Sequence, residues 1–285
     1  MNACMFVGNN RFSLVEDNLF DQTYRQPEHR LGGSYLNIVM AGLAGAGKSQ
    51  LTHSFGKWLK EKQGFEVCYV NLDAGAEWLP YEPDVDVRRF VRVDQIMKDE
   101  SLGINGAIIA AADRMVQYLD RIVSWISELD SEFVLVDSPG QYEIFVFRDS
   151  GPKTVQALQK VGTTIALNII DAQLALSPSA FLTALELATA SSLRLGVTTI
   201  NVVNKADLGG TEKIKAILSN PRLMREAIEQ ERGGAITDLA LGLLEHIEHV
   251  MTAQRPLLVS ALRGEGIADL YKAVNEALCV CGDLT

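Results

Sequence analysis

The chain has 285 residues, enough to bury roughly three quarters of its unfolded surface without disulfide staples. Apolar residues make up 47 % and charged residues 22 %, a globular composition that excludes a disordered chain. With 26 basic and 36 acidic side chains the net charge is −10, which repels phosphate backbones and argues against direct nucleic-acid binding.

Residues 1–34 are polar with scattered aromatics and close on Leu31-Gly32-Gly33-Ser34, a loop signal. They read as an N-terminal extension ahead of a domain over 35–285. Neither a basic leader nor an apolar run of roughly 18 residues is present, so the expectation is a cytoplasmic protein without membrane contact. Cys4, Cys68, Cys279 and Cys281 are too few for a disulfide framework. The pair Cys279-Val280-Cys281 has no partner pair at metal-ligand spacing, and small apolar residues closing a terminal helix is the plainer reading.

From Tyr35 onward, apolar runs of strand length (36–41, 67–72, 133–136, 164–170, 198–203, 257–259) alternate with helical stretches. Continuous apolar strands separated by helices predict a mostly parallel central sheet with helices on both faces, a three-layer α/β fold. One helix is expected to open at Lys48 and stop at Gly64. Another is expected as a single span over 106–129, whose nearly all-apolar first half faces either the core or a second subunit.

The first run leads into Gly42-Leu43-Ala44-Gly45-Ala46-Gly47-Lys48-Ser49, the phosphate-loop pattern between a strand and a helix. Its glycines let backbone N–H groups converge on phosphate oxygens at a helix N-terminus. Lys48 would reach the β- and γ-phosphates, and the Ser49 hydroxyl would ligate Mg²⁺. Asp73 closes the next strand, where it would hold a metal-bound water, help position the attacking one, or cap the following turn. The stretch 74–88 carries Pro80, Pro83 and several carboxylates, and reads as a constrained loop rather than a strand.

Asp137-Ser138-Pro139-Gly140-Gln141 follows the third run and has the D-x-x-G form. Asp137 belongs near the metal, the Gly140 N–H near the γ-phosphate, and Gln141 where a water-orienting glutamine would stand, with Glu143 in support. Asn204-Lys205-Ala206-Asp207 ends the fifth run. The Asp207 carboxylate can accept from both N1–H and N2–H₂ of guanine, a donor pair adenine lacks, and Lys205 can lay its stem over the base. Ser260-Ala261-Leu262 is similar to the short loop that meets guanine O6 through its backbone.

Taken in order, GLAGAGKS (42–49), VNLDAGAEWLPYEPDVDVR (70–88), LGINGA (102–107), DSPGQYEIF (137–145), NKAD and SAL resemble the GPN-loop GTPases, a dimeric family of P-loop NTPases. The resemblance covers Leu36 to about Leu278. It implies nucleotide contacts from Gly42, Ala44, Gly45, Ala46, Gly47, Lys48, Ser49 and Gln50, and base contacts from Asn204, Lys205, Asp207, Ser260, Ala261 and Leu262. It also implies Mg²⁺ at Ser49, Asp73 and Asp137, with Asp73, Asn105, Asp137, Gln141 and Glu143 as the catalytic set. The cofactors implied are GTP/GDP and Mg²⁺.

The loop that names the family places an asparagine in the partner subunit's site. Here it reads Gly103-Ile104-Asn105, with isoleucine where the family has proline. Proline would pre-set φ near −65° there. The implied function is a slowly hydrolysing homodimeric GTP switch that assists assembly of protein complexes, RNA polymerase among the possible clients. Two other readings compete with it. One is a nickel-type metallochaperone GTPase using Cys279 and Cys281; the other is a guanine-nucleotide module without turnover.

Overall fold

The computed structural model describes residues 35–231, 234–253 and 255–282, so the expected extension over 1–34 lies outside the described residues. Seven strands form one sheet: β1 (Tyr35–Gly42), β2 (Val67–Asn71), β3 (Val85–Asp86), β4 (Phe133–Asp137), β5 (Gly162–Asp171), β6 (Thr199–Asn204) and β7 (Leu257–Leu258). All neighbours pair in parallel, in the order β3-β2-β4-β1-β5-β6-β7. The six apolar runs are all strands. β3 is an addition to the expected set, since the loop over 74–88 ends in a two-residue edge strand that pairs Val70 with Val85 and Asn71 with Asp86.

Helices cover the sheet: α1 (Lys48–Trp58), α2 (Val93–Glu100), α3 (Ile104–Val116), α4 (Leu119–Ser127), α5 (Tyr142–Phe147), α6 (Ser150–Gln159), α7 (Pro178–Leu195), α8 (Thr211–Ser219), α9 (Pro221–Glu231), α10 (Ala235–Ala253) and α11 (Ile267–Gly282). The period-two alternation of a strand divides the core between the two faces. Leu36, Ile38 and Met40 of β1 pack with Leu51 and Phe55 of α1 and Leu270 of α11. Val39 and Ala41 pack on the opposite face with Ala107 and Met115 of α3 and Phe145 of α5. A third cluster joins the ends of β5 and β6 to α7, α9 and α10 through Ile170, Val203, Phe181, Ile228 and Leu244.

α1 continues through one π-helical turn, 59–63, and ends at Gly64 in the left-handed region (φ 74°), as the sequence predicts. The span 106–129 is not one helix. α3 and α4 are separated at Gln117-Tyr118, whose amides bond back three residues to Arg114 and Met115 and tighten the final turn. Tyr118 has φ −102°, ψ 0°, and its ring stacks on Phe90 at 4.7 Å between centroids. Apolar spacing stays helical on both sides of this break, which is why the pattern does not reveal it. On α3 the small residues Ala107, Ala111 and Ala112 face the core, whereas Ile108 and Ile109 are half-buried. No helix among the described residues is long and apolar enough to cross a membrane.

Candidate functional site

Parallel strands bring all their carboxyl ends to one edge, and the register fixes which residues meet there. Met40 of β1 and Asn71 of β2 both sit beside Asp137 of β4, and Asp171 of β5 sits beside Asn204 of β6. The loop after β1 runs directly into α1. Gly47 caps that helix at φ 89°, and a Cβ there would stand 2.6 Å from Asn204 Nδ2, so two constraints select glycine. The first turn of α1 presents the N–H groups of Lys48, Ser49 and Gln50, which lie ahead of any acceptor within the helix.

Lys48 is buried and folds over its own loop, donating to Gly42 O at 2.9 Å, Leu43 O at 3.3 Å and Gly140 O at 3.5 Å. Burial holds its ammonium below the usual lysine range, opposed by the charges of Asp137, Asp73 and Glu143.

Asp137 is 1 % exposed. Its Oδ2 accepts from the Tyr81 hydroxyl at 2.9 Å, while Oδ1 is buried without a hydrogen-bond partner among the described residues. Burial pushes its carboxyl up to about 6; Ser49, Tyr81 and Lys48 oppose the shift and Asp73 adds to it. Asp73 serves two sides. Oδ1 accepts from Gly75 N–H at 2.9 Å, the turn-capping role, and Oδ2 accepts from Gly140 N–H at 3.0 Å. The amide that the D-x-x-G pattern assigns to a γ-phosphate is thus held by a carboxylate.

Gln141 precedes α5 and lines a cavity of about 170 Å³ with Asp73, Gly140, Val93, Ile108 and Met115. Glu143 stands exposed in the first turn of α5. Asn105 is not brought to the loop: it is exposed in the first turn of α3, and its neighbour Ile104 lines a second cleft, of about 690 Å³, with Glu77, Asp86, Arg88 and Arg92.

At the other end, Asn204 joins two loops. Its Nδ2 donates to Ala46 O and its Oδ1 accepts from Ala261 N–H, both at 3.0 Å. Asp207 accepts from Ser260 Oγ at 2.5 Å, a bond that holds its carboxyl below the ordinary range. Ala44, Gly45 and Leu262 are exposed at the rim.

The structure gives contacts to residues for which the sequence reading has no role. Asn71 donates to Asp86 at 2.9 Å, Asp86 forms a bidentate pair with Arg88, and Arg88 donates to Ala76 O, so the block over 71–88 is braced to itself. Tyr81 and Asp171 also enter the site. The only hint of either in the sequence is position: a tyrosine between Pro80 and Pro83, and an aspartate ending an apolar strand.

Among the described residues no group of His, Cys, Asp and Glu has the makings of a protein-only metal centre. The side chains of Cys279 and Cys281, proposed as ligands in the metallochaperone reading, lie outside the described ones. The Mg²⁺ donor set fits what is present: Asp137 keeps a buried oxygen, Oδ1, without a hydrogen-bond partner among the described residues, and the Ser49 hydroxyl interacts with the same carboxylate, both hard donors of the type magnesium takes.

A glycine-rich loop between the central strand and a helix, with an aspartate at the neighbouring strand end, defines a P-loop nucleoside triphosphatase. Residues 40–280 match the family model described as a conserved hypothetical ATP binding protein. The chain is 36 % identical over 256 residues to GPN-loop GTPase PAB0955 of Pyrococcus abyssi, covering 87 % of this chain and 99 % of that one. It is 24 % identical over 247 residues to GPN-loop GTPase 1 of Dictyostelium discoideum, covering 85 % of this chain and 61 % of the relative. The crystal structure of the apo PAB0955 GTPase superposes with a TM-score of 0.76 at 32 % identity, over 86 % of this chain and 98 % of that one. The chain belongs to the GPN-loop GTPase family.

Proposed function

We propose that this GTPase is a Mg²⁺-dependent, slowly hydrolysing homodimeric switch that prefers guanine nucleotides and assists assembly of protein complexes. The observation that carries the switch reading is the bond between Asp73 Oδ2 and Gly140 N–H. A γ-phosphate oxygen seeking the same amide must displace that carboxylate, because two anions cannot share one N–H. A diphosphate makes no such demand. Release of Asp73 then frees the braced block over 71–88 to move with nucleotide state.

In this reading Lys48 turns from its three carbonyls to the phosphates, while the N–H groups of α1 hold the β-phosphate. Gln141 orients the attacking water with Glu143 beside it. Ser49 and Asp137 would hold Mg²⁺, with Asp73 near its waters; when bound, the ion neutralises charge on the β- and γ-oxygens. Guanine falls to Asp207 and to the loop over Ser260, Ala261 and Leu262. The family model's description mentions ATP, whereas the Asp207–Ser260 pair offers a fixed carboxylate suited to the guanine edge.

Homodimerisation is supported by the exposed position of Asn105, which leaves its amide for a neighbouring site rather than its own. The test is steady-state turnover of GTP and ATP against protein concentration, with Asn105→Ala alongside. Preference for GTP, with specific activity that rises with concentration and drops in the variant, is expected. Equal turnover of ATP, or activity indifferent to both concentration and Asn105, would sink the corresponding half of the proposal.

A further inference from the structure

At the base end of the site Lys205 pairs with Asp171, a carboxylate that the reading above leaves without a role. Lys205 sits at φ 66°, ψ 34°, a left-handed conformation that long side chains rarely adopt. Such a backbone persists only where surrounding contacts over-determine it. Three contacts do so. The Lys205 carbonyl accepts from Leu208 N–H and the Ala206 N–H donates to Val259 O, both at 3.1 Å, and the Lys205 ammonium donates to Asp171 Oδ2 at 2.6 Å. Asp171 is itself fixed: it ends β5 in register with Asn204, and its Oδ1 accepts from Gln173 N–H at 2.9 Å. The pair is well sheltered, with side-chain exposures of 32 % and 22 %.

The stem between these anchors crosses the phosphate loop. Lys205 Cε lies 3.8 Å from the point where a Cβ on Gly47 would stand. An aliphatic chain stretched in this way, two residues before Asp207, offers a flat apolar edge to a ring whose polar edge Asp207 reads. A lysine free to rotate would lose rotamer freedom when a base settles on it; a tethered one has lost it already.

We infer that Asp171 is a positioning residue for the nucleotide base, holding the Lys205 ammonium so that its stem forms a ready platform. The inference rests on the guanine reading above. The competing role is relief of backbone strain at Lys205 with no effect on the ligand.

Calorimetric titration of the full chain with GTP and GDP separates the two, using Asp171→Asn, Lys205→Met and the double variant. Asp171→Asn keeps the Oδ1 acceptor for Gln173 and sets an amide against the ammonium; Lys205→Met keeps an unbranched stem without the charge. The expected result is that Asp171→Asn weakens GTP and GDP by the same factor, about 3- to 10-fold. The double variant should bind no worse than the weaker single, as two ends of one contact require. Wild-type affinity in Asp171→Asn, a loss confined to GTP, or losses that multiply in the double variant would overturn the proposal. So would a lowered melting temperature with unchanged GDP affinity, which assigns the pair to strain relief. A wild-type chain that binds ATP as tightly as GTP would instead overturn the guanine reading, and this inference with it, before any variant is compared.

Discussion

Ile104 occupies the position where the family's loop has proline, and the structure says what restoring proline would do. It is the first residue of α3, and among the described residues no backbone bond uses its N–H. That is the helix position where proline's missing donor does no harm. The preceding residue, Gly103, lies at φ −68°, ψ 164°, the extended conformation that a following proline requires. The isoleucine side chain is 53 % exposed, so its removal takes little apolar surface from the core. Nothing native opposes the substitution, and the unfolded chain loses freedom. Ile104→Pro should therefore stabilise the protein by about 0.4–1 kcal/mol. For a domain of this size that corresponds to a rise of about 1–4 °C in midpoint temperature, measured by thermal unfolding of the nucleotide-free protein. The same variant pre-sets Asn105, so GTP turnover should rise and still fall on adding Asn105→Ala. A lower midpoint would show that the N1 geometry has been misjudged. A higher midpoint with unaltered turnover would detach this loop from catalysis.

Three further outcomes follow from the buried contacts. Asn204→Ala leaves the Ala46 carbonyl and the Ala261 N–H without a buried partner, at about 1–3 kcal/mol each, so urea unfolding should show a loss of several kcal/mol; a loss under about 1 kcal/mol would mean that water replaces the amide. Gly47→Ala places a methyl 2.6 Å from that amide at φ 89° and should abolish GDP binding, which retained micromolar affinity would contradict. Because the Asp137 carboxyl titrates near 6 when folded and near 3.9 when unfolded, the native state keeps its proton over that window while the unfolded state has lost it. Stability of the metal-free protein should thus fall as pH rises from about 4 to 6, by on the order of 3 kcal/mol, and Asp137→Asn should flatten the slope; an identical slope in the variant would exclude Asp137 as its source.

What could be read from the chain was whatever is local. The phosphate loop is legible because strand, glycines, lysine and helix are contiguous, and the strands are legible because residues buried on both faces leave unbroken apolar runs. Tyr81 and Asp171 depend on partners 56 and 34 residues away, and no periodicity encodes those meetings. The break at Tyr118 escaped for a different reason. Its cause is a ring stacked on Phe90 from another element, while the helical spacing runs on through it. Of the readings of Asp73, the turn cap is present in the bond from Gly75, while the bond from Gly140 N–H to its other oxygen was in none of them, since it joins residues 67 apart.

The order of the sheet puts β2 and β4 on one side of β1 and β5 to β7 on the other. Asp73 and Asp137, proposed for the phosphate side, therefore come from one half, and Lys205, Asp207 and Ser260, proposed for the base, from the other. Across the edge where these halves meet, Asn204 ties the base half to Ala46 in the phosphate loop, and Ser54 of α1 donates to the Ala261 carbonyl at 2.5 Å. In the proposed function a nucleotide spans both halves, and the Asn204 bonds lie between its two ends. With both amide atoms engaged by backbone, Asn204 sets the distance between the Ala46 and Ala261 loops, and in the proposed function that is the distance a nucleotide must bridge.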